Sequence, residues 1–162
     1  AGLKVPSAAI EEAIGYLRRS YWSSLDDQGQ PVKKVSGFAY QPGGHPDYAT
    51  TAAGLLAMQV CGQYESPFVK GAADWLLEND PQKGKKFFFY GTYYYAQGMY
   101  QRGEEYSTTA REKVESLLLG MQKGNGSWQG TGSEAGHGEV YSTTMAILAL
   151  AVKYHYLPIY QR

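Results

Sequence analysis

Two short His-x-acid motifs are the residues of this chain best suited to chemistry. His45 and Asp47 form one pair, and His137 and Glu139 form the other, 92 positions later. Imidazole and carboxylate groups serve as zinc ligands and as partners in proton transfer. Acidic residues also stabilise the N-terminal ends of helices. We expect both acids to stabilise the N-terminal ends of the helices that follow them, with metal binding and acid–base or ligand contact as the alternatives.

Tyrosines provide the rest of the candidate site. The chain has 15 of them, and several cluster between positions 90 and 100. Tyrosine combines a broad apolar ring with one polar tip, which suits it to a ligand-binding wall. The two motifs and the tyrosines near three predicted helix starts form the predicted ligand-binding set: His45, Asp47, Tyr48, Tyr90, Tyr94, His137, Glu139 and Tyr141. We assign no catalytic residue, no metal and no cofactor.

Six predicted helices position these residues. Three have an apolar stripe along one face and are expected to lie outside: about 7–22 with Ser7 as its N-cap, one beginning at Ser66-Pro67, and one beginning near Thr109 with Glu112 completing a capping box. The other three lack a strongly polar face and are expected to be inner helices buried on several sides: about 48–62, 90–102 and 141–154. The sequence therefore predicts an all-α fold.

An internal repeat organises these helices. The first and third inner helices align without a gap at an offset of 93 residues, which pairs Tyr48 with Tyr141. A period of about 40 to 50 residues is typical of stacked helical hairpins. We predict one domain over 1–162, built from repeats at about 1–62, 63–103 and 104–162. The long connections 23–46 and 123–138 should emerge at one end, where a site is expected.

Composition excludes several classes of partner. Fifteen Lys and Arg balance fifteen Asp and Glu, so no net charge draws the chain to a nucleic acid. The longest apolar run, 145–152, is too short to span a membrane. Cys61 is the single cysteine, so the chain cannot form an intrachain disulfide. Nothing in the sequence indicates a compartment.

One loop motif resembles a known repeat family. Gln122-Lys-Gly-Asn-Gly126-Ser-Trp128 is similar to the QW repeat of squalene-hopene and oxidosqualene cyclases, and the stretch 37–48 resembles the loop before an inner helix in protein prenyltransferase β subunits. The resemblance implies an α/α toroid in which Gln122, Gly126 and Trp128 are structural. The glutamine would bond orphan backbone groups at a helix end, and the tryptophan would stack on the neighbouring repeat.

The resemblance also implies residues that the chain lacks. There is no Asp-x-Asp-Asp acid, no internal thioester motif, and Ala49 stands where a zinc-binding prenyltransferase would have cysteine after Asp47. Complete toroids close a ring from more hairpins than the three found here. We therefore expect a C-terminal half, with residues 1–3 at a cut and 156–160 at a natural terminus, whose open faces are covered by missing N-terminal repeats or by a homodimer.

The expected function is binding. A non-catalytic repeat domain would take an apolar or carbohydrate ligand, or another protein, through an aromatic concavity lined by the inner helices. One alternative is a fragment of a terpene cyclase or prenyltransferase-like enzyme whose catalytic acid lies in a missing N-terminal half. Another is an α/α-toroid carbohydrate-active enzyme that uses Asp47, Glu139 and a histidine.

Overall fold

The computed structural model describes residues 4–154, and over this range the chain is all-α, as predicted. Its helices are α1 (Ser7–Ser20), α2 (Tyr48–Val60), α3 (Pro67–Glu78), α4 (Phe88–Arg102), α5 (Glu104–Met121) and α6 (Gly138–Ala151). Two 3-10 turns, Gly132–His137 and Val152–Tyr154, flank α6. The described range contains isolated β-bridges but no strand. The expectations for residues 1–3 and 156–160 fall outside it.

Helix α4 lies at the centre of the fold, packed against α2, α5 and α6. Glycines make its contact with α2 close: a Cβ on Gly91 would lie 2.4 Å from Cε1 of Tyr48, and one on Gly98 would lie 3.0 Å from a methyl carbon of Leu55. Such distances leave no room for a side chain, so the two backbones approach directly. Glycine therefore lets these two inner helices pack closely.

The outer helices α3 and α5 bury one stripe each. The stripe residues with the least exposure come from both helices: Phe68, Ala72 and Leu76 of α3, and Val114 and Leu118 of α5. Their opposite faces carry exposed polar side chains. This one-sided burial is the arrangement expected of amphipathic helices that cover a core, and it agrees with the sequence pattern.

Helix α1 departs from that pattern. Its predicted apolar stripe is not a core face, since Ile10 is exposed and Ser20 alone of the α1 residues is buried. The helix is attached through the residue that follows it: the Tyr21 ring packs edge-on against Phe38 at 5.3 Å and Phe68 at 5.2 Å. Helix α1 therefore lies on the outside as expected, but its stripe meets the core only at the C-terminal end, where Leu17 packs against it.

The predicted start of α5 is also wrong. The helix begins at Glu104 rather than near Thr109, and no side-chain cap is formed, so the capping box with Glu112 is absent. The cause lies one residue earlier. Gly103 has φ of 81°, a value that glycine adopts without steric cost, so it turns the chain from α4 into α5 in a single residue.

The predicted N-cap is wrong for α1 and right in position for α3. Ser7 is the first helical residue of α1 and Pro6 occupies the N-cap position, so the prediction of Ser7 as the cap is wrong. Ser66 does occupy the N-cap position of α3, with Pro67 first in the helix as expected, but its side chain makes no capping hydrogen bond. Pro67, as the first helical residue, supports the start of α3 through its fixed φ.

Matching hydrogen bonds fix the register of the repeat. In the first and third repeats a loop amide donates to a helix threonine: Phe38 N–H to Thr51 Oγ1 (3.0 Å) and Trp128 N–H to Thr143 Oγ1 (3.1 Å). The threonines are 92 residues apart, so the alignment of Tyr48 with Tyr141 is wrong by one residue. Since one residue turns a helix position by about 100°, those two tyrosines point in different directions.

Under the 92-residue register, the side of α6 that faces away from α4 is equivalent to the side of α2 that α4 covers. Val140 and Ile147 are 83% and 53% exposed, whereas their counterparts Tyr48 and Leu55 are buried. Helix α6 therefore has an open face, formed by Val140, Thr144 and Ile147. The expectation of burial on several sides holds for α2 and α4, and it is wrong for α6.

Candidate functional site

An aromatic cleft of about 520 Å³ opens at the N-terminal ends of the three inner helices. The first turns of α2, α4 and α6 and the loops before them supply its walls: Tyr40, Ala49, Thr50, Ala53, Phe87, Tyr90, His137 and Tyr141. We call this volume the aromatic cleft. It lies at the end where the long connections emerge.

The α4 wall consists of tyrosines on successive turns. The ring centroids of Tyr90 and Tyr94 lie 4.7 Å apart, a distance at which aromatic rings attract each other. Burial raises the pKa of the Tyr94 phenol, and the neighbouring Tyr90 phenol raises it further. Both residues were in the predicted set. The structure brings Tyr90 into the cleft and places Tyr94 directly beside it.

Beneath the cleft lies a buried carboxylate that the sequence analysis missed. Glu134 belongs to the 3-10 turn before α6 and has 0% exposure. Its two oxygens accept hydrogen bonds from the backbone N–H groups of Phe89 (2.7 Å) and Tyr90 (3.0 Å), which lie in the first turn of α4. A carboxylate at a helix N-terminus satisfies orphan amide groups and complements the helix dipole. Glu134 therefore caps α4 from another repeat.

The same carboxylate holds one wall of the cleft. The Tyr141 hydroxyl donates to Glu134 Oε1 at 3.0 Å. Burial raises the pKa of this phenol, and the hydrogen bond to Glu134 raises it further. Because its only proton is directed to Glu134, the Tyr141 oxygen can act towards a ligand solely as a hydrogen-bond acceptor.

Phe87 enters the cleft through a strained backbone. Its φ of 54° is a left-handed value that costs free energy for a bulky side chain. The Ser133 hydroxyl oxygen accepts the Phe87 N–H at 2.9 Å, so the loop before α6 supports this conformation. The ring then lies 6.5 Å from that of Tyr90. Neither Phe87 nor Tyr40 was in the predicted ligand-binding set.

Tyr48 lies in the core rather than in the cleft. It is buried between α2 and α4, where its hydroxyl donates to Thr92 Oγ1 at 3.2 Å. Burial raises the pKa of its phenol well above the ordinary value. The one-residue error in the repeat register explains its place in the predicted set, because the register paired it with Tyr141.

The first His-x-acid pair lies outside the cleft. Asp47 is the N-cap of α2, where its carboxylate accepts the Thr50 N–H at 3.0 Å. This is the capping role expected for it. His45 is exposed, and its ring lies 5.3 Å from that of Trp22. Neither side chain lines the cleft, although the helix that Asp47 caps contributes part of one wall.

The second pair divides between two environments. His137 lines the cleft, with its ring 5.2 Å from that of Tyr141. Glu139 instead forms an ion pair with Lys123 and accepts the Ser127 hydroxyl at 2.8 Å. The bond from Lys123, followed by the one from Ser127, lowers the pKa of the Glu139 carboxyl. The structure therefore does not pair this histidine with its acid in the cleft.

Metal-binding side chains do not converge in the part of the chain that the structure describes. Residues 4–154 contain no group of three or more His, Cys, Asp or Glu side chains that could hold an ion. Cys61 follows α2 at its C-terminal end, and the helix places it about 20 Å from Asp47 at the other end. A thiolate from Cys61 cannot complete a site with that carboxylate.

The QW-like motif closes the end of α5, but its residues have different roles from those expected. The Trp128 indole N–H donates to the Leu118 carbonyl at 2.7 Å, so the tryptophan caps the last turn of α5 within its own repeat. Gln122 Nε2 donates to the Gly126 carbonyl at 3.0 Å and closes the following turn. The tryptophan thus satisfies the orphan helix carbonyl that was assigned to the glutamine.

Comparisons of the chain with protein-family models, curated protein sequences and solved structures find no match. The family resemblance and the toroid therefore stay predictions that rest on the chain's own residues. Within residues 4–154, every helix is too short or too polar to cross a membrane.

Proposed function

We propose that the chain is a ligand-binding domain of the prenyltransferase/squalene-cyclase type, without catalytic machinery of its own. The observation that carries this proposal is the aromatic cleft. Side chains from three inner helices and three loops converge on one volume of about 520 Å³. Small-molecule sites typically have volumes of about 300–1,000 Å³ and mainly apolar or aromatic walls. An apolar ligand body fits such a cleft.

The placement of the acids favours binding over catalysis. Acid–base catalysis needs a carboxylate or imidazole within reach of the reacting atoms. Asp47 caps α2 and Glu139 is paired with Lys123, so the two acids of the carbohydrate-active alternative are both engaged elsewhere. Glu134 is covered by its three donors. Among the residues that the structure describes, the cleft wall has a single imidazole, that of His137.

Backbone strain gives independent support for a site at this place. The left-handed Phe87 costs free energy, and its ring lines the cleft. Strained bulky residues concentrate at ligand clamps, where the surrounding structure holds them in place. The family part of the proposal is supported by the alternation of buried helices α2 and α4 with the striped helices α3 and α5, and by the capped turn that ends in Trp128.

Thermal shift measurements test the proposal. We would screen isoprenoid alcohols, oligosaccharides and small amines against the chain, the cleft variant Tyr90→Ala and the control Leu119→Ala, which changes an exposed apolar residue on α5. A ligand at a hundred times its Kd stabilises a protein by about 2.7 kcal/mol. We expect at least one class to raise the Tm of wild type and control but not of the cleft variant. No shift in any class, or equal shifts in all three proteins, would refute it.

A further inference from the structure

We propose that the aromatic cleft selects ligands that carry a protonated amine on an apolar body. This inference specifies the ligand class of the binding function proposed above and therefore rests on it. Three features of the described residues point to it: aromatic rings in the walls, a buried carboxylate without a cationic partner, and a phenol oxygen that can only accept hydrogen bonds.

The ring faces are the first feature. Tyr40, Phe87, Tyr90 and Tyr141 all contribute to the walls, and the face of an aromatic ring attracts a cation within about 6 Å of its centroid. The chain already shows this attraction at one of them. The ammonium group of Lys86 lies 5.1 Å from the centroid of Phe87. A ligand ammonium in the cleft would meet several such rings instead of one.

The buried carboxylate is the second feature. None of the ion pairs among the described residues involves Glu134, whose partners are two backbone amides and the Tyr141 phenol. A helix N-terminus supplies only about half a positive charge. The floor of the cleft therefore keeps a net negative charge, and an entering cation would balance it. A carboxylate or phosphate head would be repelled by the same charge.

The direction of one hydrogen bond is the third feature. Tyr141 gives its proton to Glu134, so its oxygen can only accept a hydrogen bond from a ligand that reaches it. An ammonium N–H can donate to that oxygen, and a hydrogen bond with a charged donor is stronger than a neutral one. A ligand without a donor leaves the oxygen unpaired. The cleft therefore distinguishes a protonated amine from a hydrocarbon of the same shape.

Titration with matched probes tests this selectivity. Isothermal titration at about pH 8 would compare 3-methylbutan-1-amine, 3-methylbutan-1-ol and 3-methylbutanoate, which share a skeleton and differ in charge. At that pH the amine is protonated and the carboxylate is ionised, so the three probes carry charges of plus one, zero and minus one. We expect the amine to bind about tenfold more tightly than the alcohol and the carboxylate to bind least.

An alcohol affinity within about twofold of that of the amine would overturn the inference while the proposed binding function stands. Binding of isoprenoids or oligosaccharides with no binding of the amine would have the same meaning. Absence of binding by every probe in both screens would refute the binding function as well.

Two variants locate the selectivity in the residues named. Glu134→Gln keeps the shape and one acceptor oxygen but removes the charge, so the amine-to-alcohol affinity ratio should fall towards one. Tyr141→Phe keeps the ring and the carboxylate and removes the acceptor oxygen, so it should lower the ratio by about threefold. Circular dichroism establishes that each variant is folded, and Tyr141→Phe suffices if Glu134→Gln is not. An unchanged ratio in a folded variant would overturn the inference.

Discussion

Replacement of Glu134 by alanine should cost a large part of the stability of this domain. The change leaves three hydrogen-bond donors without their acceptor: the N–H groups of Phe89 and Tyr90 and the hydroxyl of Tyr141. Loss of a partner costs a buried polar group about 1–3 kcal/mol. Tyr90 is partly exposed, so water can reach the groups beside it. We therefore expect the unfolding free energy to fall by about 3–5 kcal/mol in total. A typical domain has only about 5–15 kcal/mol of unfolding free energy.

Urea unfolding followed by circular dichroism at 222 nm measures this cost. Glu134→Gln should lose about half as much as the alanine variant, because the amide oxygen still accepts one hydrogen bond. Glu112→Gln is the matched control, since Glu112 is an exposed acid on α5. It should leave the unfolding midpoint nearly unchanged.

A local measurement separates capping from general destabilisation. In Glu134→Ala, amide exchange should speed up most at Phe89 and Tyr90, because these amides lose their acceptor. A loss below about 1 kcal/mol for the alanine variant, or exchange that rises equally throughout α4, would show that the carboxylate does not cap the helix. The position of Glu134 beneath the cleft would then be wrong as well.

Three further perturbations test the packing and the motif. Gly91→Ala should cost about 2–3 kcal/mol in urea unfolding, because its Cβ would overlap a ring of α2. Gly120→Ala, whose Cβ would have no atom within 4 Å, should be neutral or stabilising by about 0.5 kcal/mol. Equal effects of the two changes would contradict the close approach of α2 and α4. Trp128→Phe should cost about 1–3 kcal/mol through the unpaired carbonyl at the end of α5, and Gln122→Ala less than about 0.5 kcal/mol, so the reverse order would restore the glutamine as the cap. The open face of α6 should mediate self-association, seen by light scattering at high concentration. Ile147→Lys should abolish this association without lowering the Tm. A wild-type chain that stays monomeric at high concentration would contradict the prediction.

Local patterns predicted the helices well because burial of a helix face leaves a periodic trace. The stripe of α3 and the uniformly apolar character of α2 and α4 are visible in the sequence and are found in the structure. Boundaries were harder to predict. The start of α5 depends on the φ of Gly103, and a glycine between two polar helix ends gives no sign of such a tight turn. The stripe of α1 looked like a core face because periodicity does not report whether another element covers it.

The cleft was predicted in part, and the missing part is long-range. Tyr90, His137 and Tyr141 were assigned because they lie near the starts of inner helices, which is a local property. Glu134 was missed because the two backbone amides that it caps lie more than 40 residues earlier in the chain. Its one local sign is that it is the sole acid in a run of glycine, serine and threonine before α6. Such a residue also fits a solvated turn, so only the fold could assign it.

The cap that Glu134 places on α4 limits how far this chain behaves as a set of independent modules. Stacked repeats usually tolerate removal of a terminal unit, since each unit is stabilised by its immediate neighbours alone. Here the acceptor for the first turn of α4 is supplied by the segment before α6. Deletion of the last hairpin would therefore leave the first-turn amides of α4, in the middle hairpin, without their acceptor. The two hairpins should melt as one cooperative unit rather than one after the other.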